Sequence, residues 1–255
     1  MSPTFAMGLD EALLDAAGSR PTLRLYTWDP DALSLGYFQA FEDVPAAAEH
    51  PHVVRRVTGG GAIHHDAGEL TFSIAIDADD PAYRGPVPRS YERTHGAIMA
   101  ALASLGVEGA RMRGDASCAS DLSGTGMCFH DSTDLDICWP GESGALAKGV
   151  GTAQRRKGGR ILHHGSIKLA NSHLEERIAT LSGVGVEADA REVGAALVRA
   201  LETAFDVSIG PSEPSAELRA AGERLGARYA DPAFVHRAVR ARPRASSPPR
   251  PGSPS

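Results

Sequence analysis

Long apolar runs and an excess of positive charge are both absent from this sequence. Its longest apolar runs are far shorter than the roughly 20 residues that cross a bilayer, and its first residues lack the basic and then apolar pattern of a secretory signal. We therefore expect no membrane partner and a cytoplasmic location. The 255 residues carry a formal net charge of −6, which gives no indication of nucleic-acid binding.

Cysteine is scarce as well. Cys118, Cys128 and Cys138 are too few and too unevenly spaced for a disulfide framework. Each is predicted to be a reduced core residue, a nucleophile, or both. Because free cysteine is often buried for packing alone, we expect Cys118 and Cys138 to be structural. The same would hold for Cys128 without the sequence context described below.

The sequence does contain enough apolar material for one large domain. Hydrophobic residues make up 42% of it and charged residues 23%, and a domain of this length buries about 70–75% of the surface of its unfolded chain. We assign residues 1–238 to this domain. Residues 239–255 are rich in Pro, Ser and Arg and too poor in apolar residues to become ordered, so we predict a disordered tail.

Two hydrophobic periods alternate along the chain and indicate a mixed α and β fold without internal repeats. Period-two alternation and β-forming residues predict strands near residues 23–28, 33–38, 53–57, 70–76, 135–139 and 161–169. Apolar residues at helical spacing predict helices near residues 9–13, 98–105, 174–181, 193–201 and 218–225.

Residues 55–75 combine an arginine pair, three glycines, a His-His-Asp cluster and an alternating strand. The glycines, Gly59 to Gly61, lead into a strand and lack the Lys-Ser/Thr ending of a nucleotide-binding phosphate loop. On pattern alone they could form a plain tight turn. They could equally let the backbone approach a ligand closely, with N–H groups free to bind an anion or a carbonyl oxygen.

Two double histidines, His64-His65 and His163-His164, raise the question of a metal. Adjacent residues of a strand point to opposite faces, so neither pair has chelating spacing. We therefore expect no metal site.

A second cluster lies at residues 147–169, where Lys148 precedes a Gly-x-Gly, a basic run follows, and the strand with His163-His164 comes after. Together with residues 55–66, with "LRLYTWDPDALSLGYFQ" at 23–39 and with "MGLDEALL" at 7–14, it resembles the biotin/lipoate ligase and lipoyl(octanoyl) transferase superfamily over residues 4–238. "CFHDSTDLDI" at 128–137 sits where the cysteine-dependent octanoyltransferases carry a nucleophile in a Cys-Phe context.

The resemblance implies the fold. We expect an α/β (α+β) single domain with a central mixed, largely antiparallel sheet flanked by helices, like the biotin/lipoate ligase catalytic domain. We place an acyl tunnel between the glycine loop and the strand at residues 161–169.

The resemblance also implies an acyl transfer. Octanoate would pass from octanoyl-acyl carrier protein to Cys128, and then to a lysine of a lipoyl domain such as glycine cleavage H protein or 2-oxoacid dehydrogenase E2. Thiolates attack thioesters readily, but a free thiol is only a few per cent ionised at neutral pH, so a positive charge is needed nearby. Lys148 by itself would be a solvated surface charge; as the family lysine it would stabilise negative charge on the acyl oxygen in both steps.

The remaining motif residues are expected to form the wall of the acyl site. The glycines would close around the acyl carbonyl or an adenylate phosphate, with Arg55 and Arg56 supplying charge or salt-bridging the loop. The expected substrate-binding residues are Arg56, Gly59, Gly60, Gly61, His65, Asp66, Gly151, His164 and Gly165.

The basic run Arg155, Arg156, Lys157 and Arg160 has two interpretations. Such runs are usually solvated loops. Because acyl carrier proteins and lipoyl domains are typically acidic, the run could also be a docking patch for them.

Two alternatives to the transferase stay open. A lipoate-protein ligase would use ATP and magnesium and the same lysine without a cysteine, whereas the transferase needs no cofactor. The intact glycine triplet favours the ligase, while Leu135-Asp136 opposes it because many ligases have Asn-Asp there; we also expect no counterpart of the accessory carboxy-terminal domain of the larger ligases. A non-catalytic relative that binds acyl groups or lipoyl domains is disfavoured by the presence of both Cys128 and Lys148.

Overall fold

The computed structural model of the protein describes residues 1–16, 18 and 20–237. The predicted tail at 239–255 lies outside the described residues. The helices are α1 (Pro3–Asp15), α2 (Val87–Ser104), α3 (Ala190–Phe205), α4 (Ala216–Gly226) and α5 (Pro232–Val235). The strands are β1 (Thr22–Tyr26), β2 (Ala32–Leu35), β3 (Val53–Arg55), β4 (Ile63–His65), β5 (Glu69–Asp77), β6 (Arg111–Met112), β7 (Ile137–Pro140), β8 (Leu146–Lys157) and β9 (Arg160–Lys168).

Two sheets organise these elements. The larger has the order β1-β5-β9-β8-β7-β6, and every neighbouring pair in it is antiparallel. The smaller has the order β3-β2-β4, with β2 parallel to β3 and antiparallel to β4. The expected mixed, largely antiparallel α/β fold is confirmed.

Helices cover both faces of the larger sheet. On one face α2 and α3 pack on the apolar side of β5, where Leu70, Phe72, Ile74 and Ile76 share one core cluster as the alternation predicts. On the other face α1 contributes Met7, Leu13 and Leu14 to a second cluster that includes Leu162 of β9. Because neighbours along β9 point to opposite faces, Ile161 joins the first cluster and Leu162 the second.

The start of helix α3 is determined by residues next to it in the sequence. The side chain of Asp189 accepts from the backbone N–H of Glu192 at 2.8 Å, and the Glu192 carboxylate accepts from the backbone N–H of Asp189 at 2.9 Å. This capping box satisfies two backbone donors at the helix start. Val193, Leu197 and Leu201 are then buried on the face toward the sheet.

The helix predicted near residues 174–181 is wrong. Ile178 and Leu181 are buried as the apolar spacing indicates, but the backbone follows the ends of two strands. Ala179 N donates to Lys148 O at 3.0 Å and Leu181 N donates to Lys168 O at 3.2 Å. These bonds to β8 and β9 use the donors that a helix would need for itself.

The basic run is not a loop. Arg155, Arg156 and Lys157 end β8, and Arg160 begins β9 after a two-residue turn. Arg160 is buried. Its guanidinium lies 2.8 Å from a carboxylate oxygen of Asp77 and donates to Leu13 O at 3.2 Å. It therefore cannot serve as an exposed docking charge.

None of the helices among the described residues has the length and hydrophobicity needed to span a membrane.

A buried ion cluster joins the two sheets to the segment around Ile178. The Lys168 ammonium lies 2.8 Å from Glu69 and 2.7 Å from Glu175, and it donates to His64 O at 2.7 Å. Burial alone would lower the pKa of Lys168, but the carboxylates of Glu175 and Glu69 raise it above its ordinary value. The ammonium is therefore charged, and it neutralises acidic groups that have no exposure of their own.

We expect Lys168→Met to lower the free energy of unfolding by about 3–5 kcal/mol, because it leaves buried carboxylates without their cation. Denaturant unfolding followed by tryptophan fluorescence measures this. Adding Glu69→Gln and Glu175→Gln should restore part of the loss. Lys157→Met, which breaks an exposed pair with Asp15, should cost less than about 1 kcal/mol. Equal costs for Lys168→Met and Lys157→Met would contradict the prediction.

Candidate active site

Cys128 begins a short 3₁₀ turn, Cys128–His130, that leads toward β7. Its backbone N–H donates to Ala62 O at 2.6 Å, and Ala62 N donates to Gly126 O at 2.8 Å. These two bonds fasten the cysteine turn to the end of the glycine loop. The Cys128 side chain is partly exposed, whereas Phe129 and His130 are buried. The structure thus presents one thiol at the surface of a firmly held turn.

The glycine loop and the cysteine turn touch at Gly61. A Cβ atom on Gly61 would lie 2.9 Å from the backbone N of Cys128 and 2.9 Å from Gly126 O. Real Cβ atoms are almost never found so close to backbone atoms, so this approach requires glycine. The triplet therefore brings its backbone directly beside Cys128, and the close backbone approach that glycine permits is used here to contact the cysteine turn.

Arg56 holds the glycine loop from inside. Its guanidinium donates to Gly59 O and Gly61 O, each at 2.7 Å, and to Ser34 O at 2.8 Å. Burial lowers the pKa of Arg56 to about 10, so it stays charged at neutral pH. Its bonds go to carbonyl oxygens and to the Ser34 hydroxyl, so within the described residues it braces the loop backbone without a salt bridge.

Arg55 acts on a different segment. It donates to Gly36 O at 2.7 Å and Gln39 O at 2.6 Å after β2, and to Phe234 O at 3.1 Å in α5. The arginine pair is therefore divided: Arg56 braces the loop, and Arg55 ties the smaller sheet to α5.

Lys148 reaches Cys128 because of an irregularity in the sheet. The register of β7 against β8 shifts so that Ile137 pairs with Val150 and Cys138 with Lys148. The extra residue lets Lys148 and Gly151 share one face of β8. There the Lys148 Nζ lies 3.4 Å from Cys128 Sγ and donates to Cys128 O at 2.7 Å.

Gly151 lies next to both the Cys128 sulfur and the Lys148 side chain. A Cβ atom at this position would lie 3.4 Å from Cys128 Sγ and 3.4 Å from Lys148 Cε. A larger side chain would fill the space beside the sulfur, so glycine keeps the thiol and the ammonium accessible to each other.

The charge on Lys148 is fixed by its neighbours. Only 1% of the residue is exposed, and burial alone would lower its pKa. The Cys128 thiolate and the Asp136 carboxylate raise the pKa of Lys148 above its ordinary value instead. Lys148 is therefore an ammonium at neutral pH, and the solvated surface charge that is usual for lysine does not occur here.

Asp136 is a site residue that motif reasoning did not select. Its carboxylate lies 2.9 Å from Lys148 Nζ and accepts from Thr133 N at 2.7 Å. The available signal was its position in the Leu135-Asp136 pair just before β7. Asp136 orients the ammonium between carboxylate and thiol.

Apolar side chains line the region beside the thiol. Phe129 packs with Ile63 and Ile178, and Cys128 lies against this cluster. The ammonium of Lys148 lies 5.5 Å from the centre of the Phe129 ring, and that of Lys168 lies 4.8 Å from it. The Cys-Phe pair of the sequence thus combines a thiol with an apolar wall.

The two motif histidines order the surrounding strands. His65 Nε2 is 2.7 Å from Ser34 Oγ, and its ring stacks on Trp28 at 3.9 Å. Burial lowers the pKa of His65 to about 4, so the ring is neutral at pH 7. His164 Nε2 is 2.8 Å from Thr58 Oγ1. That bond holds the glycine loop against β9, where Gly165 follows.

Asp66 and Gly165, which were expected to line the acyl site, contact residues away from Cys128. Asp66 accepts from Gly68 N at 2.7 Å in the turn between β4 and β5, so these contacts place it in the turn and not beside Cys128. Gly165 packs between Phe72 and Thr152 inside the larger sheet. Both support the framework of the site.

The other two cysteines are buried. Cys118 Sγ lies 3.3 Å from Cys138 Sγ, and burial raises the pKa of the Cys138 thiol. Their expected structural role fits this environment. Cys128 alone of the three combines exposure with a neighbouring ammonium.

The arrangement is suited to nucleophilic acyl chemistry. A thiolate needs a nearby positive charge and access to its substrate, and Cys128 has both. The same ammonium is placed to stabilise negative charge that develops on an acyl oxygen. The apolar wall at Phe129 offers a surface for an alkyl group.

Known proteins resemble this chain over most of its length. The Lipoyl protein ligase A/B catalytic domain matches residues 2–210. Octanoyltransferase LipM of Kyrpidia tusciae is 32% identical over 260 residues, covering 89% of this chain and 92% of that protein. Octanoyltransferase LipM of Moorella thermoacetica is 38% identical over 174 residues, covering 66% of this chain but only 61% of the relative.

Solved structures agree on the fold. A bi-partite lipoate protein ligase of Thermoplasma acidophilum superposes with a TM-score of 0.73 at 21% identity, covering 94% of this chain and 93% of that one. A lipoate-protein ligase A bound with ATP gives a TM-score of 0.68 at 23% identity, covering 88% and 90%. At these identities the likeness concerns the fold alone.

Proposed function

This chain belongs to the Lipoyl protein ligase A/B catalytic domain family, and we propose that it is an octanoyltransferase of protein lipoylation that works through a thioester on Cys128. Relatives named octanoyltransferase at 32% and 38% identity favour acyl transfer over the ligase and the non-catalytic alternatives. The observation that carries the chemical proposal is the contact of 3.4 Å between Cys128 Sγ and the buried ammonium of Lys148.

In the first step the Cys128 thiolate attacks the carbonyl carbon of the octanoyl thioester on acyl carrier protein. A new carbon–sulfur bond forms to Cys128, and the bond to the carrier thiol breaks. The carrier leaves as a thiolate and takes up a proton. Lys148 stabilises the negative charge on the carbonyl oxygen while the tetrahedral intermediate exists.

In the second step the unprotonated amine of a lipoyl-domain lysine attacks the acyl-enzyme. An amide bond forms, the amine loses a proton, and Cys128 leaves as a thiolate. The leaving thiolate returns to the position beside Lys148 that it held at the start. One cysteine therefore divides the transfer into two similar steps.

Cofactor and partners follow from this route. A carrier-bound thioester is already activated, so we propose that no ATP or magnesium is needed. Members of the family act on lipoyl domains; for this chain we propose glycine cleavage H protein or 2-oxoacid dehydrogenase E2 as acceptor and octanoyl-acyl carrier protein as donor. With these partners the enzyme would act in the cytoplasm.

We expect the purified protein to transfer octanoate from octanoyl-acyl carrier protein to an apo lipoyl domain without any nucleotide. Mass spectrometry of the acceptor measures the added octanoyl group. The matched reaction contains free octanoate or lipoate with ATP and magnesium in place of the carrier. If product formed only in the reaction with ATP, magnesium and the free acid, the transferase proposal would be contradicted and the ligase favoured.

We expect octanoyl-acyl carrier protein alone to leave one octanoyl group on the enzyme, on the peptide that contains Cys128 and labile to hydroxylamine. Cys128→Ala should abolish the adduct and the transfer. Lys148→Ala should slow both steps by about 10²–10³, the effect of losing one oxyanion contact.

Matched variants control this experiment. Cys118→Ala and Cys138→Ala remove the buried thiols and should keep the adduct. Arg156→Ala removes an exposed cation from the other face of the same strand and should keep the rate. If Cys128→Ala retained full activity while Lys148→Ala was inactive, the thioester route would be wrong.

Arg155 and Arg156 are neighbours on β8, so they point to opposite faces of the sheet and cannot belong to one docking surface. Arg155 lies with its guanidinium carbon 4.7 Å from the centre of the Tyr37 ring, and Tyr37 N donates to Thr58 O at 2.7 Å beside the glycine loop. Arg156 points to the opposite face, where it lies 3.4 Å from Ser90 Oγ of α2. We therefore propose that Arg155, with the exposed Lys157 of its face, helps capture acidic carriers, and that Arg156 does not.

We expect Arg155→Glu to raise the KM for acyl carrier protein at low ionic strength, and we expect the effect to shrink as salt rises because exposed charges are screened over about 8 Å at physiological ionic strength. Steady-state kinetics at two salt concentrations measure it. Arg156→Glu, with the same change of charge on the other face, is the matched control. An equal KM for both variants would remove Arg155 from the partner surface.

A further inference from the structure

A carboxylate and two imidazoles converge at the smaller sheet, apart from the cysteine site. The carboxylate oxygen Oδ2 of Asp31 lies 3.5 Å from Nε2 of His50 and 3.5 Å from Nε2 of His64. All three candidate ligand atoms lie within 4.8 Å of one another. The set contains His64 without its neighbour His65, and its other two ligands come from distant positions in the sequence.

The three residues come from separate parts of the chain. Asp31 immediately precedes β2, His50 follows the 3₁₀ turn Pro45–Ala48, and His64 is the middle residue of β4. On β4 the neighbours Ile63 and His65 point to the face that carries Phe129 and Trp28. His64 therefore points away from Cys128, and the cluster is not part of the proposed acyl site.

Both histidines are oriented through their Nδ1 atoms. His64 Nδ1 is 2.6 Å from Ser172 Oγ. His50 Nδ1 is 3.1 Å from the backbone oxygen of His52 and 3.2 Å from its backbone nitrogen. In the tautomer whose Nδ1–H donates to such an oxygen, the lone pair of Nε2 is free for a metal. This is the arrangement by which proteins fix a metal-binding imidazole through its second nitrogen.

His64 also carries an unsatisfied buried atom. Only 1% of the residue is exposed, and its Nε2 has no hydrogen-bond partner among the described residues. Buried polar atoms are nearly always bonded, so one left without a partner requires an explanation. A cation between His64 and Asp31 would supply it.

We propose that Asp31, His50 and His64 bind one divalent transition-metal ion of the zinc class. Two imidazoles and one carboxylate are donors that Zn²⁺ accepts, whereas Mg²⁺ and Ca²⁺ prefer oxygen ligands. Ligand atoms of a tetrahedral zinc ion stand about 3.3 Å apart, given bonds of about 2.0–2.1 Å. The two contacts of 3.5 Å nearly meet that spacing, and His50 and His64 must approach each other on binding.

The ion would join elements that hold the glycine loop. Through Asp31, His50 and His64 it would connect three elements: the start of β2, the segment before β3, and β4. The contact of His64 with Ser172 would extend this connection to the segment that carries Glu175. The side chain of Asp31 is 47% exposed, so the ion can enter from solvent and water can fill a fourth position. Its role is to stabilise this sheet, and the inference does not depend on the acyl chemistry.

The test uses untagged full-length protein that has been stripped of metal by a chelator. Isothermal titration with Zn²⁺ should show one ion per chain, and Co²⁺ should give a visible spectrum of nitrogen and oxygen ligands without a thiolate charge-transfer band. His50→Ala and Asp31→Ala should each weaken Zn²⁺ binding by at least about 100-fold, since even loss of a supporting partner costs about 10–100-fold. Zn²⁺ should raise the Tm of the unaltered protein and leave that of His50→Ala unchanged.

Two control variants test whether Zn²⁺ binds instead at His52 or at Cys128. His52→Ala keeps the backbone oxygen that orients His50 and should bind Zn²⁺ normally. Cys128→Ala removes the reactive thiol and should also bind normally. The proposal is overturned if no stoichiometric binding occurs, if folded His50→Ala binds as tightly as the unaltered protein, or if binding is lost in Cys128→Ala with a thiolate band in the Co²⁺ spectrum.

Discussion

The site depends on one buried ammonium held between a carboxylate and a thiol. Lys148 is 1% exposed, and it lies 2.9 Å from Asp136 and 3.4 Å from Cys128 Sγ. Burying a charge is costly unless it is paired, so the carboxylate makes the buried lysine tolerable. The same ammonium lies beside the sulfur of the partly exposed Cys128. Neither feature would follow from any one of these residues alone.

The rest of the fold keeps these three groups in register. The bulge between β7 and β8 turns Lys148 toward the cysteine. Arg56 braces the glycine loop through its carbonyl oxygens, and the close contact at Gly61 fastens that loop to the cysteine turn. Below this layer the Lys168 cluster connects β5 and β9 to the segment that borders Phe129. Two buried lysines on adjacent strands thus have different surroundings: Lys148 contacts Asp136 and the Cys128 thiol, whereas Lys168 is paired with two buried glutamates.

The division between the two faces of the strands recurs throughout the molecule. Along β4, His65 contacts Ser34 and Trp28 while His64 turns toward Asp31 and His50. Along β8, Arg155 stands over Tyr37 while Arg156 reaches α2. In each case neighbouring residues of one type serve different surfaces. Clusters of like residues in a sequence therefore separate when the chain forms a sheet.

The sequence by itself determined the fold class, most strands and four of the five predicted helices, because hydrophobic period depends on local chain geometry. It also indicated Cys128, Lys148 and the glycine loop through their resemblance to the motifs of a known superfamily. The tertiary structure alone decided that residues 174–181 are not helical, that Arg160 is buried, and that Asp136 and Lys148 form a pair. It also brought Asp31, His50 and His64 together. Contacts between distant segments, the one-residue bulge and the competition for backbone hydrogen bonds decide these features, and none of them leaves a periodic signal in the sequence.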